Sequence, residues 1–186
     1  MKQFPTDHFL IQQVLDGQTS EFKTLYKKYS RMIHLVCLRY AKKESDAEDY
    51  VQDTFVLVFK NLKSYDPAKG EFATWSKKIA INVCLQHLRK KTFKFFLGNF
   101  SDLVSSQSNE PTPLDNLSLE ELTKRIQSLP DGYRSVFNMF VIDGYSHKEI
   151  ANELGITEST SRSQLVKAKK HLQGKLLQQK FEGNYG

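Results

Sequence analysis

The sequence predicts an all-α protein of two small helical domains, an N-terminal helical bundle and a smaller C-terminal domain, joined by a flexible linker. Three observations carry this. Apolar residues recur at spacings of three and four at both ends of the chain, the period of helices with one buried face. Between them, residues 98–117 lose that period and collect Ser105, Ser106, Ser108, Pro111 and Pro113. Charge changes sign in the same place. Residues 1–97 hold 17 basic and 10 acidic side chains, residues 98–120 hold four acids and no base, and residues 121–186 hold 10 basic and 7 acidic. The predicted organisation is a domain over 1–97, an acidic tether over 98–117, and a second domain with a short tail over 118–186.

Composition narrows the function. The 186 residues carry a net charge of +6, and 39% are hydrophobic with 12% aromatic, enough to build a core. The longest apolar run, Phe55 to Phe59, is far short of the roughly 20 residues of a membrane span. The first 25 residues, cut by Asp7, Asp16, Glu21 and Lys23, do not read as a secretory signal. Cys37 and Cys84 sit in apolar helical contexts with no CxxC or Cys/His cluster, so they read as buried reduced thiols of a cytoplasmic protein and exclude a zinc site. Two basic modules on an acidic tether suggest a polyanion, most simply nucleic acid.

The first helix follows Thr6 and ends near Gly17, with Phe9, Leu10, Val14 and Ile11 apolar. The second starts after Ser20 and carries Phe22, Leu25, Tyr26, Tyr29, Met32, Ile33, Val36, Cys37 and Tyr40. The third opens on Ser45-Asp46-Ala47-Glu48, read as a capping box, with Ala47, Tyr50, Val51, Thr54, Phe55, Val58, Phe59 and Leu62 inward. Its other face carries Asp49, Gln52, Asp53 and Val56, with Leu57 beside it. Spacing alone leaves two readings of that acidic stripe, a solvated face or a docking surface. A loop with turn residues at both ends, Ser64 to Gly70, precedes a fourth helix from about Glu71 to Lys91. Phe72, Trp75, Ile79 and Val83 form its inward stripe. Lys78, Asn82, Gln86 and Arg89 share an outward face, with Lys77, Lys90, Lys91 and Lys94 around it. Amides between cations suit base reading, since amides present paired donors and acceptors while cations hold phosphates; a solvated polar face is the alternative.

In the second domain, Ser118-Leu119-Glu120-Glu121 reads as a capping box before Leu122, Ile126 and Leu129, and Pro130 ends that helix. Tyr133, Val136, Phe137 and Phe140 mark the next, which stops at Asp143-Gly144. Ser146-His147-Lys148-Glu149 is a third capping box, opening a helix with Ile150, Ala151 and Leu154. Gly155 makes the turn, and Thr157 caps a last helix with Leu165, Ala168 and Leu172 inward and Ser159, Arg162, Ser163, Val166, Lys167 and Lys170 outward. Two short helices joined through a glycine, the second with a basic outer face, form a helix-turn-helix pattern.

These residues carry a resemblance. Asp46 to Phe55, then Phe72-Ala73-Thr74-Trp75 and Ile79-Ala80-Ile81-Asn82, resemble region 2 of bacterial RNA polymerase sigma factors. Leu129-Pro130, Gly144 to Ala151 and Gly155-Ile156 resemble region 4. With only these two regions present, the chain resembles the extracytoplasmic-function (group IV) class. The resemblance implies that Asp49, Gln52, Asp53, Phe55 and Val56 dock on core RNA polymerase, with Phe55 acting from the core side. It implies that the Tyr65 to Gly70 loop, with Tyr65, Asp66 and Lys69, captures a flipped base of the −10 element. Trp75, Lys78, Asn82, Gln86 and Arg89 then belong with the same single strand, and Ser159, Arg162, Ser163, Val166, Lys167 and Lys170 with the −35 duplex. An anti-sigma factor is a further candidate partner. Two positions depart from the family pattern. Ser161 stands where many relatives have a branched apolar residue, and is expected to loosen the packing of the recognition helix. Gln164 stands where many are basic, and is expected to remove a phosphate contact.

The function expected is that of a promoter-specificity subunit that recognises both elements and helps melt DNA, with no catalysis, cofactor, metal or small-molecule substrate of its own. No HExxH, GxxxxGK[ST] or GxGxxG occurs. His147 is expected to face solvent, and His87 to be either solvated or at DNA. The acidic tether is expected to run through a basic channel of the polymerase. The alternative is a free-standing helix-turn-helix regulator with an N-terminal protein-interaction domain, which would have no need of the Asp49–Phe55 stripe.

Overall fold

A computed structural model describes residues 6–92 and 118–182, and the described residues are helices and short connections with no strand. The tether over 98–117 lies outside the described residues, as does Lys94. The chain divides into two compact units, Met1–His87 and Leu88–Gly186.

In the first unit, α1 (Asp7–Leu15) is capped by Thr6, whose hydroxyl accepts from the Phe9 amide at 3.3 Å. Leu10, Ile11 and Val14 are buried while Phe9 is exposed. A 3₁₀ turn leads into α2 (Phe22–Tyr40), which buries Leu25, Tyr29, Ile33, Val36, Cys37 and Tyr40. α3 (Glu44–Asn61) corrects the expected start. It begins one residue before Ser45, with Lys43 at the N-cap and no side-chain cap, so the Ser45 capping box does not form. Glu44 and Asp46 in its first turn favour the helix instead through the dipole. Its inward stripe is as expected except Phe59, which is half out of the core and meets Phe22 edge-on at 5.0 Å.

α4 (Phe72–Thr92) is buried on most of its circumference: Phe72, Ser76, Ala80, Ile81, Val83, Cys84, Leu85 and Leu88 are all inaccessible. Ile81 and Leu85 join the expected stripe, and Trp75 and Ile79 are only half-buried. Each fully buried Leu or Ile contributes about 1.5–3 kcal/mol, so this burial goes far toward holding the helix in place. Cys37 and Cys84 are free and buried against each other, and burial pushes the Cys84 thiol up in pKa.

In the second unit, α5 (Leu119–Gln127) and α7 (His147–Leu154) both begin with the expected capping boxes, at Ser118/Glu121 and Ser146/Glu149. α6 (Asp131–Phe137) continues as a π-helical stretch, Asn138–Ile142. Arg134 is wholly buried. It pairs with Asp131 at 2.6 Å and donates to the carbonyls of Gln127 and Leu129, fastening the end of α5 to the start of α6. Gly155, at φ 66°, ends α7 in the left-handed region that glycine alone enters without strain. Thr157 then accepts from the Thr160 amide at 3.0 Å, and α8 (Glu158–Glu182) runs on.

Candidate nucleic-acid interface

Three surfaces are built from these elements. On α3, Asp49, Gln52, Asp53 and Val56 are exposed on one face. Phe55 lies beneath this face. It is buried, its ring 4.5 Å from Tyr26 and 6.3 Å from Phe22, so it can only support the face from beneath. Tyr26 and Phe59 on the same helix pair, and Val56, are large apolar side chains left about half-exposed. Asp53 has a partner that sequence spacing did not reveal. His87 Nε2 on α4 lies 2.7 Å from its carboxylate, and the His87 ring stacks on Tyr50 at 4.4 Å. His87 is therefore half-buried and engaged with α3, where spacing alone placed it in solvent or at DNA. A residue 34 positions away along the chain leaves no local signal.

The second surface is the loop before α4 and the stripe along α4. Tyr65 donates to the Gly70 carbonyl at 3.0 Å, and Asp66 accepts from the Ala68 amide at 3.0 Å and pairs with Lys69 at 3.3 Å. These bonds hold the loop shut as a frame. Tyr65, Phe72 and Trp75 form an aromatic trio with centroids 5.5 Å apart, and Tyr29 meets Phe72 at 5.1 Å. Beside them opens a cleft of about 650 Å³ lined among others by Asp7, Lys28, Tyr29, Tyr65, Lys69 and Phe72. Asp7 bridges Lys28, at 2.7 Å, and the Tyr29 hydroxyl. Burial raises the pKa of both Tyr29 and Tyr65, so both phenols remain protonated donors. The cleft thus offers the half-buried Tyr65 ring for stacking, and Lys28 and Lys69, each paired with a carboxylate, as cations for phosphate. Asp7, Lys28 and Tyr29 were missed in the sequence because they come from helices that carry no motif. Along α4, Thr74, Lys78, Asn82, Gln86 and Arg89 are exposed in one line, while the residues between them are buried or half-buried.

The third surface is the outer face of α8. Ser159, Arg162, Ser163, Val166, Lys167 and Lys170 are all exposed, and Val166 is an aliphatic side chain 54% exposed among cations. Arg162 is not idle: Glu158, one turn earlier, holds it at 2.7 Å. Two expectations beneath this face are corrected. His147 does not face solvent. Its ring is half-buried, stacked on Phe140 at 4.3 Å and 20°, with Nδ1 2.8 Å from the Ser161 hydroxyl. Ser161 is fully buried, and its hydroxyl is paired with that imidazole. Gln164 is half-buried, its amide lying over Gly132 of α6, so it stands aside from the outer face.

Comparison with known proteins agrees with this anatomy. Residues 25–93 match Sigma-70 region 2, and residues 119–172 match Sigma-70 region 4. The chain is 27% identical over 177 residues to the ECF RNA polymerase sigma factor SigW of Bacillus subtilis, covering 89% of this chain and 94% of that one. It is 25% identical to the ECF RNA polymerase sigma-E factor of Escherichia coli, covering 92% and 94%. In fold it resembles the sigma factor RpoE of Bartonella quintana, solved with the anti-sigma factor NepR, at a TM-score of 0.52 and 21% identity over 84% of this chain and 96% of that one. With both regions matched in order, the chain belongs to the extracytoplasmic-function sigma factors, the DNA-binding initiation factors that direct core RNA polymerase to −35 and −10 promoter elements.

Proposed function

We propose that promoter recognition is divided among the three surfaces by the physical state of the partner. The α3 face, with Asp49, Gln52, Asp53 and Val56, docks on core polymerase, and Phe55 supports it from below. The 65–70 loop, its cleft and the α4 stripe take the melted −10 strand. The outer face of α8 reads the −35 duplex. The observation that carries this reading is the α4 stripe. A helix buried on most of its circumference cannot enter a major groove, which admits a whole helix, yet it exposes a ladder of amides and cations beside an aromatic cleft. Such a surface suits unstacked bases and a tracked backbone.

Several further assignments follow. The phosphodiester chemistry belongs to the polymerase, and this chain is not an enzyme. Acting on that partner places it in the cytoplasm; no described helix is long and apolar enough to cross a membrane. Its organisation is a domain over 1–97, an acidic tether over 98–117 that repels DNA and occupies a basic channel of the polymerase, and a domain over 118–186. An anti-sigma factor would compete for the α3 face, where the half-exposed Val56, Tyr26 and Phe59 supply apolar area.

The test is run-off transcription with core polymerase over a promoter library randomised at −10 and −35. Selection of two elements, strictly dependent on added core polymerase, is the expected result. Sequence-specific duplex binding by the free chain without transcription would favour the regulator alternative.

A further inference from the structure

α7 and α8 meet along a narrow seam. On α7, Ile150 and Ala151 are buried, and α8, which packs against α6 as well as α7, buries Ser161, Leu165, Ala168 and Leu172. Interdigitated apolar side chains hold the two helices close, and a hydrogen bond across them adds a sharper directional constraint to that packing. A directional contact crosses the seam, the 2.8 Å hydrogen bond between His147 Nδ1 and the Ser161 hydroxyl. The His147 ring is itself anchored, face to face with Phe140 at 4.3 Å. One imidazole therefore ties together the end of the α6 segment, the first residue of α7 and the first turn of α8.

Ser161 lies immediately before Arg162 and Ser163 and two positions after Ser159. Whatever fixes its direction fixes theirs. A helix with its side chains is about 5–6 Å in radius, so a roll of about 20° carries its outer groups some 2 Å. That distance separates a good hydrogen bond from none. Base edges in duplex DNA cannot move to follow.

We propose that His147 is a specificity-determining positioning residue. By clamping the Ser161 hydroxyl it sets the roll of α8, and thereby decides which −35 base edges Arg162, Ser163 and Val166 reach. This rests on reading α8 as the −35 helix. His147 touches no base in this account; its partner is the underside of the helix that does. The hydroxyl at 161 and the imidazole at 147 are a matched pair, and neither is useful buried without the other.

The experiment is transcription by holoenzyme, reconstituted from core polymerase and the full chain, on templates with a fixed −10 and a randomised −35 element. Four substitutions are compared with wild type. Ser161→Ala removes the hydroxyl with almost no change in volume, and His147→Leu removes the ring nitrogen. Ser161→Thr keeps the hydroxyl, and His147→Asn keeps a polar atom near the Nδ1 position. The first two are expected to lower the preference for the best −35 sequence over its single-base neighbours by about tenfold, the worth of one base contact, and to reorder those neighbours alike. The Ser161→Ala/His147→Leu double variant should be no worse than either single one. The Thr and Asn variants should retain the wild-type order. A uniform loss across all −35 sequences with the order kept would make the pair merely structural and overturn the proposal. So would failure of either conservative variant to restore the order. If wild-type holoenzyme itself shows no −35 preference, the reading of α8 falls and the proposal with it.

Discussion

α4 and α8 both present a line of polar side chains outward, but they are held by different means. α4 is embedded: eight of its residues, from Phe72 to Leu88, are buried, and they surround the helix so widely that only the Thr74–Arg89 line is left out. α8 rests on a strip of about one residue per turn, Ser161, Leu165, Ala168 and Leu172. The difference matches what each helix would meet under the proposed division of promoter recognition. Bases of a melted strand rotate about their backbone and can find a fixed ladder of donors, so α4 needs a rigid place more than an exact angle. Bases in a duplex present fixed edges, so a helix that reads them needs its angle set, and the proposed role of the His147–Ser161 bond is to sharpen the angle that packing gives. Substitutions beneath α4 should therefore act on stability, and substitutions beneath α8 on choice.

The largest effect expected is under α4. Leu85→Ala should cost about 2–5 kcal/mol, the usual result of truncating a fully buried leucine. Core binding and promoter opening should then fail together as the first unit loosens. Leu165→Ala, in the thinner seam, should cost less and leave core binding intact. Urea unfolding of both variants, alongside polymerase pull-down, checks the contrast; equal losses of core binding would abolish the distinction between the two helices.

Next in size is the docking face. Asp53→Arg should reduce core binding at least about tenfold, since a misplaced charge at an interface costs several kcal/mol, with circular dichroism unchanged. The same substitution also frees His87. His87→Ala is the control: it removes the 2.7 Å contact while keeping the carboxylate, and should weaken core binding far less. If the two variants bind equally poorly, Asp53 matters by holding α4 to α3 and not by touching polymerase.

Smaller effects separate the two outward lines. Arg162→Ala should cost about 1–3 kcal/mol and change the preferred −35 sequence, and Lys170→Ala should weaken all sequences alike and lower the salt slope by about one. Arg162 must first leave Glu158, so Glu158→Gln is expected to strengthen −35 binding. Asn82→Ala should slow open-complex formation and relax −10 choice without touching −35 preference or core binding. Titrating each variant on both element libraries at two salt concentrations gives all four answers; an Asn82→Ala variant altered at −35 would contradict the division of labour.

The helices and their outward residues were legible in the sequence because amphipathic spacing and local capping are short-range signals. The capping boxes at Ser118 and Ser146, the glycine turn at 155 and every outward residue of α8 lie within a few positions of their cause. What was hidden depends on residues far apart in the chain. The Asp53–His87 contact joins two helices. Asp7 and Lys28 enter the cleft from elements without a motif, and Ser161 is explained only once His147 is seen to turn inward. The Ser45 box misled for a related reason: the helix starts at Glu44, two residues before the Asp46 start that a Ser45 cap requires, and leaves Ser45 inside its first turn. Ile81 and Leu85 were overlooked because a helix buried on most sides has no single stripe.

The smallest effect is a pH dependence confined to the α7–α8 seam. Burial, and secondarily the nearby Arg162 guanidinium, hold the His147 pKa below its ordinary value, against a weaker opposing pull from Glu158. The sign follows from linkage. In the unfolded chain the imidazole titrates near its ordinary value of about 6.5. In the folded chain it takes a proton only at lower pH, so between the two values the unfolded state binds more protons and stability rises with pH. What His147 contributes is complete above about pH 6.5 and is lost as pH falls through the window below it. The stability gap between wild type and His147→Asn should thus be constant at neutral and alkaline pH and narrow on acidification. α4, whose described stripe contains no histidine, supplies the contrast, since the Asn82→Ala gap should not move with pH over the same range. Urea midpoints measured from pH 8 to pH 5 decide it. A His147 gap that widens in acid would mean that the folded protein prefers the imidazolium, with Glu158 outweighing burial at the seam.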